Sequence, residues 1–217
     1  MSVAAKICGL SSEAAIDAAV AGGAAYVGFV FYPPSPRSIT PARAGALAAR
    51  VPASVKRVAL FVDADDATIA AVLAAAPIDI LQFHGGETPA RVAEAKQRFG
   101  RLVMKAISVA SAADVEVAAR YEDAADMLLF DAKPPRRADA LPGGNGLAFD
   151  WQLIAGRKVA LPWMLSGGLT AELLSEAVRI SGAAAVDVSS GVETAPGQKD
   201  VAKIRAFLAA AAGLSGL

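Results

Sequence analysis

The chain has few of the residues on which disulfide-bonded and metal-dependent proteins rely. Its 217 residues include one cysteine and one histidine, and 6% are aromatic. A single cysteine excludes an intramolecular disulfide and is typical of a reducing compartment, so we expect a cytoplasmic protein. His, Cys, Asp and Glu do not cluster in a metal-binding pattern, and we therefore expect no metal.

Charge of either sign is not in excess, and long apolar runs are scarce. The chain has 21 Lys and Arg against 21 Asp and Glu, for a net charge of zero, which argues against nucleic-acid partners. The longest uncharged stretch, residues 18–36, is interrupted by glycines and prolines, whereas a membrane span needs ~20 mainly apolar residues. These interruptions argue against a membrane partner, and neither a P-loop nor a dinucleotide-binding fingerprint is present.

Short apolar runs alternate with longer alanine-rich helical patterns along the whole chain. Eight runs read as strands: Ala4–Cys8, Tyr26–Phe31, Val58–Val62, Ile78–Phe83, Leu102–Ala106, Met127–Phe130, Ala160–Leu165 and Ala185–Val188. The helical patterns between them include Ser12–Ala21, Ala67–Ala75, Pro89–Phe99, Ala112–Tyr121, Ala171–Ile180 and Asp200–Ala212, with Ser11, Thr88, Ser111 and Thr170 placed as N-caps. Such alternation predicts an α/β protein with a parallel sheet.

Eight strand–helix repeats favour a closed barrel over an open, doubly wound sheet. An open sheet would often carry a glycine-rich fingerprint after its first strand, and here only Gly9 follows Cys8. We therefore predict a single (βα)8 TIM barrel that spans residues 1–217 as one catalytic domain. The long segment of residues 132–146 follows the sixth strand and is the candidate for an active-site lid.

Two proton-transfer residues end apolar strands: Cys8 on the first strand and Asp131 on the sixth. Catalytic groups of such barrels lie at the carboxyl ends of the strands. Side chains alternate between the faces of a strand, so Lys6 shares a face with Cys8. Lys6 could lower the pKa of the thiol, or it could pair with Asp187 on the eighth strand. The sequence therefore predicts a general base and a general acid that face one cavity.

Seven motifs occur in order at barrel spacing. They are Lys6-Ile7-Cys8-Gly9-Leu10; Gly28-Phe29-Val30-Phe31-Tyr32-Pro33 with Ser35-Pro36-Arg37; Leu81-Gln82-Phe83-His84-Gly85; Leu129-Phe130-Asp131; Gly143-Gly144-Asn145-Gly146 with Phe149-Asp150-Trp151; Leu165-Ser166-Gly167-Gly168-Leu169; and Asp187-Val188-Ser189-Ser190-Gly191-Val192-Glu193 with Pro196-Gly197 and Lys199-Asp200. Over nearly its whole length the chain resembles the phosphoribosylanthranilate isomerases of tryptophan biosynthesis.

That resemblance implies roles for particular residues. It implies an Amadori isomerase acting on N-(5-phosphoribosyl)anthranilate, with Cys8 as general base and Asp131 as general acid. Arg37 is expected to contact the anthranilate portion, because a guanidinium pairs with carboxylates and stacks on aryl rings. Gln82 and His84 are expected to bind substrate at the mouth of the site and to order the site by hydrogen bonds. The enzyme is expected to be a monomer or homodimer that needs no cofactor.

Glycine- and serine-rich clusters follow strands six, seven and eight, where barrels of this kind bind phosphate. The predicted phosphate ligands are Gly144, Asn145, Gly146, Gly167, Gly168, Ser189, Ser190 and Gly191. Asn145 departs from the family pattern, which usually has Thr or Ser at that position. The same glycines could also serve only as turn residues.

Two other functions remain open at this level. One is a related phosphosugar barrel, either the Amadori isomerase of histidine biosynthesis or an enzyme that accepts both substrates. A carboxylate is expected at the first strand tip of that enzyme, so Cys8 argues against it. The other is a phosphate-binding barrel without catalysis, against which the presence of both Cys8 and Asp131 argues.

Overall fold

The structure is a computed structural model that describes residues 3–134 and 142–214. Eight parallel strands close into a barrel in the order β1 to β8, and β1 pairs with both β2 and β8. The strands are β1 Ala4–Cys8, β2 Tyr26–Phe31, β3 Lys56–Phe61, β4 Ile80–Phe83, β5 Leu102–Val109, β6 Met127–Ala132, β7 Trp163–Leu165 and β8 Ala185–Val188. The predicted barrel is confirmed.

The helices cover the outside of the barrel. They are α1 Glu13–Ala21, α2 Pro41–Ala48, α3 Asp66–Ala75, α4 Pro89–Phe99, α5 Ala112–Glu116, α6 Leu174–Ser181 and α7 Val201–Ala212, with short 3₁₀ turns at Val117–Tyr121, Trp151–Leu153 and Ser190–Val192. The structure adds α2 to the segments named from the pattern. Within the described residues, β6 is followed by only a 3₁₀ turn instead of an α-helix, and no helix is long and apolar enough to cross a membrane.

Helix starts follow the expected capping chemistry with two corrections. Thr88 and Ser111 cap α4 and α5 as predicted, each accepting a backbone N–H in the first turn. The cap of α1 is Ser12, not Ser11, whose carbonyl accepts hydrogen bonds from Arg43 instead. Thr170 was also wrong as a cap, because α6 begins only at Leu174 and has no side-chain cap.

The alternation of side chains along the strands separates two cores. One lies between the barrel and its helices and includes Ile7, Leu81 and Phe130, all fully buried. The second lies inside the barrel, where the described members that pack together are Val58, Ile80, Met104, Ala106, Leu129 and Met164. Lys6 and Gln82 share the inward register, as predicted, and are fully buried. The polar residues at the strand ends therefore stand on a closed apolar floor.

A small antiparallel ribbon follows the barrel. Strand β9 (Glu193–Ala195) pairs with β10 (Gln198–Lys199), and Glu193 lies opposite Lys199 in the register. Gly197, at φ +82°, occupies the turn, where a side chain would be strained and would also meet the Pro36 carbonyl at 2.5 Å. The ribbon thus brings two charged residues to the rim of the barrel beside the loop after β2.

Candidate active site

A cavity opens at the carboxyl ends of the strands. Cys8, His84 and Asp131 contribute to its wall, as does Arg37. The predicted phosphate ligands also line it: Gly144, Asn145, Gly146, Gly167, Gly168, Ser189, Ser190 and Gly191. The topology therefore gathers into one cavity residues that are more than 180 positions apart in the chain.

Cys8 is the last residue of β1 and is 4% exposed. A Cβ atom at Gly28, its partner on β2, would lie 3.0 Å from the thiol sulfur, so the glycine leaves the space that the thiol occupies. Burial raises the pKa of the Cys8 thiol; the charge of Lys6 opposes this increase, and that of Asp187 adds to it. Lys6 acts on the thiol pKa in the predicted direction, but its effect is smaller than that of burial.

Lys6 and Asp187 form a buried ion pair, with Nζ 2.8 Å from Oδ1. Ser166 donates a hydrogen bond to the other carboxylate oxygen of Asp187 at 3.2 Å. Burial lowers the pKa of Lys6, but the charges and hydrogen bonds of Asp187 and Cys8 together outweigh burial, and the net pKa is raised. Of the two roles considered for Lys6, the structure shows the pairing with Asp187 directly. Lys6 is therefore held charged close beneath the thiol.

Asp131 and His84 face each other across the cavity wall. Asp131 Oδ2 lies 3.2 Å from His84 Nε2, although the two groups are not aligned for a hydrogen bond. Oδ1 accepts a hydrogen bond from the Ala132 backbone N–H at 2.8 Å. Asp131 is 5% exposed, and its carboxyl is fixed at one oxygen while the other faces the imidazole and the cavity.

Gln82 lies below the wall and is not among the described cavity-lining residues. Its Nε2 is 3.0 Å from His84 Nδ1, so it orients the imidazole from beneath. The expectation that Gln82 lines the mouth was therefore wrong in position. The cause is the strand period: Gln82 and His84 share a face, but Gln82 lies one layer deeper in the barrel.

Arg37 is held by a buried ion pair with Glu193. Its Nε and Nη2 donate to the two carboxylate oxygens of Glu193, each at 2.8 Å, in a bidentate pair. Nη2 also donates to the Gly144 carbonyl at 3.2 Å. These contacts leave Nη1 and the planar face of the guanidinium for the cavity. Gly144 packs closely against the guanidinium, because a Cβ atom added at Gly144 would lie 2.6 Å from Nη1.

Sequence reasoning gave no role to Glu193 and Lys199. Lys199 Nζ lies 2.8 Å from Glu193 Oε1, and the Lys199 side chain is 1% exposed. Burial opposes ionisation of Glu193, but its hydrogen bond to Arg37 and the charge of Lys199 leave the carboxyl pKa below its usual value. The turn dipeptide Pro196-Gly197 between two polar flanks is the signal that could have revealed this ribbon.

The loops after β7 and β8 approach the cavity with bare backbone. Gly167 and Gly168 have φ of +89° and +64°, and a Cβ at Gly168 would lie 2.7 Å from the Ala148 nitrogen. A Cβ at Gly191 would lie 1.9 Å from the Leu169 carbonyl oxygen. Gly167 and Gly168 require glycine for both conformation and space, whereas Gly191 requires it for space alone. All three expose peptide groups of the kind that bind anions.

The fold and the cavity define a (βα)8-barrel enzyme with a thiol, a carboxyl and a glycine-lined end in one site. Residues 5–210 match the family model described as N-(5'phosphoribosyl)anthranilate (PRA) isomerase. The chain belongs to this family.

Individual relatives agree with the family model. The chain is 58% identical over 211 residues to the N-(5'-phosphoribosyl)anthranilate isomerase of Paracoccus denitrificans, covering 97% of this chain and 98% of the relative. It is 59% identical over 212 residues to that of Parvibaculum lavamentivorans, covering 97% and 99%.

Solved structures of the family superpose closely on the barrel. Phosphoribosyl anthranilate isomerase from Thermotoga maritima matches with a TM-score of 0.87 at 36% identity, covering 98% of this chain and 100% of that one. A family structure in complex with reduced 1-(o-carboxyphenylamino)-1-deoxyribulose 5-phosphate matches with a TM-score of 0.84 at 35% identity, over the same shares of the two chains.

Proposed function

We propose that this protein catalyses the Amadori rearrangement of N-(5-phosphoribosyl)anthranilate to 1-(2-carboxyphenylamino)-1-deoxyribulose 5-phosphate, a step of tryptophan biosynthesis. The observation that carries the proposal is the placement of Cys8 and Asp131 in one buried cavity whose third side is the glycine cradle of the loops after β7 and β8. Family membership supplies the identity of the substrate.

The glycine-lined end receives the phosphate in this proposal. Gly167, Gly168 and Gly191 allow the substrate close to the backbone, so peptide N–H groups and hydroxyls serve as donors. The Ser189 hydroxyl already donates a hydrogen bond to the Cys8 carbonyl at 3.2 Å. Ser189 therefore contributes chiefly its backbone, while Ser190 and Asn145 line the cavity beside it.

Arg37 receives the anthranilate end. Glu193 occupies Nε and Nη2 of Arg37. The aryl carboxylate of the substrate therefore pairs with Nη1, and its ring stacks on the guanidinium face. The clamp costs Arg37 its bidentate fork but removes its rotamer freedom, so less entropy is lost when the substrate binds. Arg37 is thus preorganised and offers the substrate one terminal nitrogen and one face of its guanidinium.

Asp131 opens the sugar ring. Its carboxyl donates a proton to the ribose ring oxygen as the C1–O bond breaks, which leaves a protonated Schiff base between C1 and the anthranilate nitrogen. His84 faces the same carboxyl oxygen and, held by Gln82, restrains its orientation. A positioned acid of this kind contributes roughly 10²–10⁴-fold to the rate.

Cys8 completes the rearrangement. Its thiolate removes the proton from C2, the electron pair moves into the C1–nitrogen imine, and the resulting enolamine tautomerises to the ketone. The imine of the substrate is the electron sink, so the chemistry requires no external cofactor. The raised thiol pKa makes the thiolate a minority form in the free protein and a strong base when formed.

The remaining features of the proposal concern the whole chain. The described residues form one barrel, which supports one catalytic domain over residues 1–217. A single cysteine and balanced charge support a cytoplasmic location. We propose a monomer or a homodimer; a dimeric relative from Thermotoga maritima has also been solved in monomeric form. Sedimentation equilibrium distinguishes the two states.

The reaction is tested by the loss of anthranilate-type fluorescence from phosphoribosylanthranilate made in situ, with chromatographic identification of the product. Decay that requires the protein and yields the aminodeoxyribulose phosphate supports the proposal. The aminoaldose substrate of the histidine pathway serves as the comparison substrate. Turnover of that substrate alone, or turnover of neither, contradicts the proposal.

A further inference from the structure

Lys199 contacts residues on two sides of the cavity without lining it. Nζ donates to Glu193 Oε1 at 2.8 Å, to the Ser189 carbonyl at 2.8 Å and to the Ser189 hydroxyl at 3.2 Å. An ammonium group has three donors, and these contacts use all of them. Lys199 therefore has no donor left for a substrate, and its effect on the reaction has to pass through its partners.

Those partners lead to both ends of the site. Through Glu193, Lys199 supports the bidentate clamp on Arg37. Through Ser189, whose hydroxyl donates to the Cys8 carbonyl at 3.2 Å, it reaches the strand tip that carries the thiol. The ribbon of β9 and β10 is not part of the barrel sheet. Its opposed residues Glu193 and Lys199 make the contacts that join the two ends of the site.

The charges of this region do not balance. We call Lys6, Asp187, Arg37, Glu193 and Lys199 the buried charge cluster. Lys6 is matched by Asp187, and Arg37 is matched by the bidentate Glu193. Lys199 also contacts Glu193, so the three cations of this cluster share its two anions and the cluster carries one net positive charge. A Cys8 thiolate would neutralise it.

We propose that Lys199 is a positioning residue of the active site, which holds the Arg37 clamp and supplies the counter-charge for the Cys8 thiolate. The geometry carries this inference: a buried ammonium with every donor used, joined to both the base and the anthranilate end. It rests on the proposed function in taking Cys8 as the base. Lys199 and Lys6 both act to lower the pKa of the Cys8 thiol, whereas burial and Asp187 raise it.

The groups that face Cys8 come from several elements. Among the described residues, the titratable and charged ones that contact it electrostatically or share its cavity wall are Lys6 from β1, Tyr32 and Arg37 after β2, His84 after β4, Asp131 from β6, Asp187 from β8 and Lys199 from β10. Substitutions of one charge at a time separate the contribution of Lys199 from those of the other groups.

The test is titration of the thiol by its ultraviolet thiolate absorbance, with Cys8→Ser as the blank, since the chain has one cysteine. Lys199→Met is expected to reduce the thiolate fraction at neutral pH about tenfold. Glu193→Gln leaves Lys199 and Arg37 unneutralised and is expected to increase that fraction severalfold. Lys199→Arg keeps the charge and is expected to stay within about threefold of wild type.

Opposite shifts distinguish the proposal from structural damage, which would move both variants in the same direction. Lys96→Met removes an equal charge from the last turn of α4 and serves as the matched control. Equal or absent shifts in Lys199→Met and Glu193→Gln overturn the proposal. If Lys199→Met does not fold, a thiolate fraction that fails to rise in Glu193→Gln overturns it alone. The titration needs no substrate, so its outcome is separate from that of the proposed reaction.

Discussion

Lys6 Nζ lies 2.8 Å from Asp187 Oδ1 at facing register positions of β1 and β8, the two strands whose pairing closes the barrel. The ion pair thus lies across the seam between the first strand of the chain and the last strand of the barrel. Both side chains are buried, and Cys8 and Ser189 follow them two residues later at the cavity rim. Closure of the fold and assembly of the site depend on the same contact.

The seam pair predicts a large effect on stability. Lys6→Met leaves the Asp187 carboxylate buried and unpaired, which is expected to lower the free energy of unfolding by about 3–5 kcal/mol. The double variant Lys6→Met/Asp187→Leu removes the unpaired charge and is expected to recover part of that loss. Urea unfolding measures both. A Lys6→Met variant as stable as wild type, or a double variant less stable than the single one, contradicts this view of the seam.

The buried thiol predicts a pH dependence. Because burial raises the pKa of Cys8 in the folded protein, the unfolded chain loses this proton at lower pH. The free energy of unfolding is therefore expected to fall as pH rises from the unfolded pKa to the folded pKa, and this contribution is absent in Cys8→Ser. Thiolate absorbance of the native and urea-unfolded protein measures the two midpoints. A native midpoint at or below the unfolded one contradicts the prediction.

The glycine cradle predicts a contrast between two glycines with similar backbone angles. Gly168 has φ +64° and a blocked Cβ position, whereas Gly182 has φ +72° and nothing within 4 Å of the added Cβ. Each change to alanine is expected to cost about 1–2 kcal/mol from the left-handed conformation. Only Gly168→Ala is expected to weaken inhibition by inorganic phosphate, by tenfold or more. Equal inhibition constants for the two variants would remove the cradle from phosphate binding.

The contact of Gln82 with His84 predicts an effect on turnover with little effect on binding. Gln82→Met removes the partner of His84 Nδ1 but leaves the cavity wall intact. A less well oriented imidazole beside Asp131 is expected to lower kcat by roughly threefold to tenfold, with KM within about twofold. Steady-state kinetics at saturating substrate, with the exposed Gln152→Met as control, checks this. A change confined to KM contradicts the assignment of Gln82 to orientation.

The fold was largely predictable because barrel strands are short apolar runs with sharp polar or glycine boundaries. The bounds of β1, β2 and β8 were predicted without error. Strand β7 begins only at Trp163, since Pro162 has no N–H for the ladder and only its carbonyl pairs, with Leu128. Strand β5 runs on to Val109 past the polar Ser108, which pairs with Asp131. Tertiary pairing decides such ends, and local composition does not show it.

The site was predictable where a residue ends a strand and unpredictable where contacts cross the fold. Cys8 ends β1, Asp131 is the next-to-last residue of β6 and His84 directly follows β4, so parity and topology place them at the mouth. Arg37 was expected to pair with the substrate carboxylate bidentately or to stack on its aryl ring, yet Glu193, which is 156 positions away, already occupies the bidentate fork. No local sequence pattern predicts a contact between residues so far apart in the chain. The contact forms only because the ribbon of β9 and β10 folds over the loop after β2.

The central claim is that Cys8 and Asp131 act as base and acid on one substrate. The most direct measurement compares the decay of phosphoribosylanthranilate fluorescence catalysed by wild type, Cys8→Ser and Asp131→Asn, together with the affinity of each for a reduced product analogue. We predict that each variant binds the analogue within a few-fold of wild type and turns over at least ~10²-fold more slowly. A folded, analogue-binding variant of either residue with wild-type turnover would contradict the account.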